Sequence, residues 1–192
     1  MNTDQQPLIE RLKKRVLGGS FVSPDHFWHK QRANPPVTAA ELAHAEALLG
    51  FPLPPLLKHM YIEVGNGGFG PGYGLLPLTN EEDPKTLRTD SLVTTYLMYR
   101  ALTAEQFAEY WDEHEDEYRL REWPEKLLMI CDWGCNIYSY LDCSQPECPV
   151  LRLDHNLLVR KLTLEAPSFS QWLENWLRKY QDGENDSRQA HL

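Results

Sequence analysis

No stretch of this 192-residue chain approaches the roughly 18 apolar residues a membrane helix needs. The N-terminal MNTDQQPLIERLKKRVLGG lacks the apolar core and small-residue cleavage site of an export signal, so a cytoplasmic location is expected. Positive charge is also short: 19 Lys and Arg stand against 28 Asp and Glu, a formal charge of -9. Binding to a phosphate backbone needs a clustered cationic face, so neither nucleic acid nor membrane is an expected partner. Catalytic signatures are missing too. There is no Gly-Lys-Ser/Thr, no His-Glu-x-x-His and no Gly-x-Ser-x-Gly, and the seven histidines are scattered along the chain. Cysteine is confined to Cys131, Cys135, Cys143 and Cys148, which in a reducing compartment are thiols or metal ligands rather than disulfides.

At 42% hydrophobic and 24% charged, the composition is that of a folded globular chain of about one domain. Leu8, Ile9, Leu12 and Val16 recur at helical spacing before Gly18-Gly19, which predicts a short N-terminal helix. Residues 20 to 37, with Pro24, Pro35, Pro36 and the Phe27-Trp28 pair, read as an irregular arm. Thr38 followed by Glu41 is a capping-box pattern, and Leu42, Ala45, Leu48 and Leu49 form a stripe that ends at Gly50. After a proline elbow, Leu56, Leu57, Met60, Tyr61 and Val64 predict a second helix ending at Gly65. Residues 65 to 74, GNGGFGPGYG, hold six glycines, and Leu75 to Leu78 reads as a short edge strand.

Helices are expected after Asp90 or Ser91, with Leu92, Val93, Tyr96 and Leu97, and after Thr103, with Gln106 at its capping-box position. Beyond Trp123-Pro124 the period becomes that of strands, at Leu127 to Cys131, Asn136 to Leu141, Val150 to Leu153 and Leu157 to Leu164. Ser168 then caps a helix with a Phe169, Trp172, Leu173, Trp176, Leu177, Tyr180 stripe, and Gly183 opens a polar tail. Helices, an antiparallel meander and a covering helix make an α+β single domain. The expected units are an N-terminal helix and arm over 1–37, a domain over 38–182 and a tail over 183–192.

The order of these pieces carries a likeness. Glu46 lies in the helix that ends at Gly50, and Leu53-Pro54, an aromatic helix and Asn66-Gly67-Gly68 follow. Trp133-Gly134 leads a strand that reaches Asp142. Over roughly residues 38 to 177 the chain resembles the SUKH superfamily, the Smi/Knr-type domain. The resemblance implies a structural role for those motif residues and a non-enzymatic function. Bacterial members resemble immunity proteins that neutralise toxins, many of them nucleases, and fungal relatives are scaffolds. A housekeeping scaffold, a small-ligand sensor and an unrecognised hydrolase stand as alternatives.

Three features invite chemistry. The glycine-rich loop has the wrong order for phosphate, since a helix precedes it and a strand follows. It reads instead as a turn that lets Phe69 and Tyr73 pack or face a partner. The cysteines, spaced C-x3-C-x7-C-x4-C, could supply four thiolates to zinc, but the spacing matches no ribbon or knuckle. On an alternating strand Cys135, Ile137, Ser139, Leu141 and Cys143 share a face, so Cys135 can be a small core residue. No metal and no cofactor are expected. From Glu105 to Glu122 there are eight acids, and Asp112, Glu113, Glu115, Asp116 and Glu117 crowd little more than one turn. Such repulsion suits either a solvated helix end or a docking face for a basic toxin domain.

Overall fold

A computed structural model describes residues 5–19, 21–23, 26–79, 91–106, 122–157 and 161–189. Helix α1 (Gln6–Val16) buries Leu8, Ile9, Leu12 and Val16, the stripe read from spacing. The following segment, read as an irregular arm over 20–37, is irregular only over 32–37 among the described residues. Its backbone pairs as an antiparallel hairpin, β1 (Phe21–Ser23) with β2 (His26–Gln31). The prolines permit this because Pro35 and Pro36 fall after β2.

Helix α2 (Ala39–Leu49) opens on a complete capping box. Thr38 Oγ1 accepts from the Glu41 amide at 3.2 Å, and the Glu41 carboxylate accepts from the Thr38 amide at 2.5 Å. These bonds hold the Glu41 carboxyl below its ordinary pKa, because they favour the ionised form. The helix stops at Gly50, whose φ of 80° continues no right-handed turn. Helix α3 (Pro55–His59) runs on into one π-helical turn, Met60–Val64, that buries Met60, Tyr61 and Val64. Helix α4 (Leu92–Arg100) begins with Ser91 Oγ accepting from the Thr94 amide. At Thr103 the reciprocal bonds with Gln106 form as the spacing predicts.

Strands β3 (Leu127–Gly134), β4 (Ile137–Asp142), β5 (Val150–Asp154) and β6 (Thr163–Ala166) make one antiparallel sheet in sequential order. The last strand is displaced from the run read at Leu157 to Leu164: it begins at Thr163 and ends at Ala166. Leu75 contributes a single bridge to Cys131 rather than a strand, and Leu76 donates to Ile130 O at 2.9 Å. Helix α5 (Phe169–Gln189) buries Phe169, Trp172, Leu173, Trp176 and Leu177, and continues through Gly183, which a helix tolerates at a cost of about 1 kcal/mol.

Polar pairs fasten α1 to this body. Arg11 makes a fork to Glu174 on α5 at 2.8 and 2.7 Å. Lys13 reaches Glu63 in the π-helical turn at 2.6 Å, and Glu63 also meets His59 Nδ1 at 2.7 Å. The Lys13 bond lowers the Glu63 carboxyl pKa against the opposing effect of burial, and Glu63 followed by Glu10 raises that of Lys13. No helix among the described residues is long and apolar enough to cross a membrane.

Candidate functional site

The glycine-rich loop is a packed part of the scaffold. Its amides are spent inside the protein: Gly68 N donates to Leu75 O, Tyr73 N to Asp132 O and Gly74 N to Pro71 O. Gly70 N donates to Oε1 of the buried Gln31, whose Nε2 donates to Gly70 O and Gly72 O at 3.0 and 2.9 Å. A β-carbon on Gly67 would lie 2.5 Å from Leu75 O at a φ of +68°, so this position demands glycine on two grounds. Phe69 is wholly buried, which corrects the reading of it as a partner-facing residue: burying its ring in the core removes it from any surface. Tyr73 is half-buried, its ring set against Gly134, where a β-carbon would stand 2.6 Å from Cε2.

The other motif residues brace turns. Glu46 Oε1 accepts from the Leu53 amide at 2.6 Å and pairs with Lys58 at 2.6 Å, which locks the α2–α3 elbow around Pro54. Asn66 Oδ1 accepts from the Leu78 amide at 2.6 Å, and the Asn34 side chain donates to Asn66 O. Gly68 sits with φ of 80° so close to Arg32 O that a β-carbon would stand 2.5 Å away. Trp133 Nε1 donates to Ser139 Oγ at 2.7 Å, and that hydroxyl donates to Glu165 at 2.5 Å. Arg152 lies 4.5 Å over the Trp133 ring. Gly134, with φ of 80°, donates to Asp132 Oδ1, and Asp142 accepts from the Ser144 amide and hydroxyl and from Gln145 Nε2.

The thiols do not converge. Cys131 is fully buried and donates to Pro71 O, Cys143 is half-buried, Cys148 is buried and Cys135 is exposed. The expected core placement of Cys135 fails because its φ of 51° puts it in the left-handed β3–β4 turn, before strand alternation begins at Ile137. Burial raises the thiol pKa of Cys143 and, with the nearby carboxylates, that of Cys148, so both are poor nucleophiles. Among the described residues no three His, Cys, Asp or Glu side chains gather as metal ligands. Asp112, Glu113, Glu115, Asp116 and Glu117 lie outside the described residues.

Sequence reasoning did not single out the uncovered part of the sheet. Tyr140, Leu151 and Leu164 are successive partners across β4, β5 and β6 and so lie on one face. On this face α4 covers the β3–β4 side: Tyr99 stacks on Trp123 at 4.1 Å, and Trp123 meets Tyr140 at 5.3 Å. The same helix fixes the chain entering β3, since Tyr96 Oη donates to Glu125 O and Arg100 to Trp123 O. Among the described residues this aromatic cover meets the sheet on the β3–β4 side. Leu164 is 66% exposed, and on the same face a groove of about 470 Å³ runs from the start of β3 and the end of β4 to Leu151 and Leu162. Leu127, Leu151 and Leu162 give it apolar walls, and Glu125, Lys126 and Asp142 lie along it. Alternation marks Leu151 and Leu164 as one face, but it does not say which part of that face a helix covers.

The model of the SMI1 / KNR4 family (SUKH-1) matches residues 36–175. No curated protein matches the chain.

Proposed function

The chain belongs to the SMI1 / KNR4 family (SUKH-1), and from that membership we propose that it is a non-enzymatic binding domain of the immunity type. It neutralises a cognate toxin by docking on it and works in the cytoplasm. The observation that carries the reading is a groove that runs from the start of β3 and the end of β4 to Leu151 and Leu162, an apolar surface rimmed by Glu125, Lys126 and Asp142, with Leu164 exposed on the same face of the sheet. Three of the polar residues that carry the family resemblance support it from the other side, because Glu46, Asn66 and Asp142 hold turns. Of the serine–carboxylate pairs, Ser139–Glu165 is bonded beneath Trp133 with the serine fully buried, and Ser144–Asp142 closes the turn after β4, where the same carboxylate also accepts from the Ser144 amide and Gln145; both are bracing geometries.

A net charge of -9 favours a basic partner such as a nuclease domain, and the acids from Asp112 to Glu117 add to the steering field. The test is co-expression with the product of an adjacent toxin-like gene. Restored growth together with a complex that survives size-exclusion chromatography is the expected result. Growth inhibition that the chain does not relieve, or relief without a complex, overturns the reading. Reversing Asp112, Glu113, Asp116 and Glu117 to Lys should slow association at least tenfold at low salt and less at high salt, where the Debye length shrinks below about 10 Å.

A further inference from the structure

The four thiols gather into no metal set, but two of them close one turn. Strands β4 and β5 pair as far as Leu141 opposite Val150, and the Asp142 amide carries the ladder one step on by donating to Pro149 O at 3.0 Å. The next opposing positions in that register are Cys143 and Cys148. Opposite residues of an antiparallel pair stand about 4.5–5.5 Å apart at Cα, inside the range of about 4.4–6.8 Å that a disulfide spans. In that register both fall on the face of Leu141 and Val150; Cys148 belongs to the core and Cys143 packs against it. The turn is pinned from several sides. The Cys143 amide donates to Lys126 O at 2.8 Å, the Cys148 amide to Gln145 O at 3.0 Å, and the first amide of α5, at Phe169, to Glu147 O at 3.4 Å. The bonds of the two sulfurs themselves are weak, Cys143 to Leu141 O at 3.8 Å and Cys148 to Gln145 O at 3.3 Å, so a side-chain rotation releases them. After burial, the largest influence raising the Cys143 thiol pKa is Cys148, ahead of the adjacent Asp142, which places the two thiols close together.

We propose that Cys143 and Cys148 form a reversible disulfide, which staples the β4–β5 turn when a small-molecule disulfide is in excess. One cysteine thiolate attacks a sulfur of the small disulfide, whose S–S bond breaks and releases one small thiolate. The second cysteine thiolate attacks the protein sulfur of that mixed disulfide and expels the other. Two protein thiols are oxidised to one disulfide, one small disulfide is reduced to two thiols, and the two protons pass to them. Burial raises the pKa of both cysteines, so closure is slow at neutral pH, and the same property makes them poor leaving groups, so the closed bond resists exchange. The other two thiols are set apart by the same register. Cys131 faces Ser139 across the β3–β4 ladder, and Cys135 lies in the turn at the far end of β4. The staple bears on the groove, because Asp142 and Ser144 flank Cys143 and both line it. It is independent of whether that groove meets a toxin.

The experiment uses the full chain carrying Cys135→Ser, which removes the exposed thiol and the cross-linking between chains that it invites. Reduced protein is incubated with excess oxidised glutathione at about pH 8, where thiolate begins to form. It is then alkylated in denaturant and cleaved after glutamate, which cuts between the two cysteines at Glu147. The expected product is a linked pair of peptides carrying Cys143 and Cys148, with Cys131 alkylated, and a dithiol reductant should return both cysteines to free thiols. Closing the short loop from 143 to 148 should raise the melting temperature by about 4–8 °C, a gain lost on reduction. Cys143→Ala and Cys148→Ala should each abolish the link and the shift, and the peptide map of the unsubstituted pair stands without them. If Cys143 and Cys148 stay free after prolonged incubation of the native chain, or hold glutathione as lasting mixed disulfides, the two sulfurs do not reach each other and the proposal fails. A link that forms only in denaturant, that joins Cys131, or that joins two chains overturns it as well. So does closure that leaves the melting temperature unchanged or lower, since the turn would then have to distort to make the bond.

Discussion

Replacing Gln31 by leucine tests whether the glycine-rich loop is held as described. The side chain is 1% exposed and makes three bonds, donating to Gly70 O and Gly72 O and accepting from Gly70 N. Leucine fits the volume and removes all three partners, leaving two carbonyls and one amide in a buried turn. Each abandoned group costs about 1–3 kcal/mol, and partial relaxation of the loop brings the expected total to about 4 kcal/mol. For a chain of this size about 1 kcal/mol moves the melting temperature by about 2–4 °C, so a fall of about 8–16 °C is expected by circular dichroism. Gln31→Glu separates the two kinds of bond. The carboxylate can still accept from Gly70 N but repels the carbonyls, whereas its protonated form can donate to one of them. That variant should therefore bind its proton more tightly when folded than when unfolded. The relief it gains is present at about pH 4 and lost as pH rises toward 7, so its deficit relative to the parent should be smaller in acid. A Gln31→Leu chain that melts within about 2 °C of the parent would refute the reasoning, since the loop would then hold its shape by its own turns.

Gly67→Ala should cost about 2–4 kcal/mol in denaturant unfolding, because its β-carbon would press on Leu75 O 2.5 Å away at a positive φ; a loss below about 0.5 kcal/mol would mean that the turn moves freely. The Glu63 carboxyl has its pKa lowered from 4.5 in the folded chain, so the stability it adds is present above about pH 4.5 and lost as pH falls through the folded value. Glu63→Gln should thus lower stability by about 1 kcal/mol at neutral pH and flatten the acid limb of a stability–pH profile; parallel acid limbs for parent and variant would exclude this pair as the cause. A chromogenic disulfide reagent at about pH 8 should label Cys135 in the native protein, Cys143 and Cys148 slowly, and Cys131 only after unfolding; mass-spectrometric mapping that finds Cys131 labelled first would contradict its burial at 0% exposure.

What the sequence could express by itself was whatever physics acts between near neighbours. The capping boxes at Thr38 and Thr103 close over three residues, and Gly50 ends α2 because its own backbone turns left-handed. The α5 stripe is visible because burial on one helix face imposes a period of 3.6. Strand alternation likewise gave the four-stranded meander, and the order of Glu46, Gly50, Leu53-Pro54 and Asn66-Gly67-Gly68 reached the family. The tertiary structure decided everything that depends on distant parts meeting. Gln31 finds Gly70 and Gly72 about forty residues on, a pairing that no local periodicity encodes. Phe69 is in the core because the loop packs around its ring, and Cys135 is out of it because the left-handed turn overrides strand spacing. The open end of the sheet belongs to the same class. Leu164 has the pattern of a core leucine, yet it is exposed: among the described residues the aromatic stack that α4 joins meets the sheet at Trp123 and Tyr140, on the β3–β4 side.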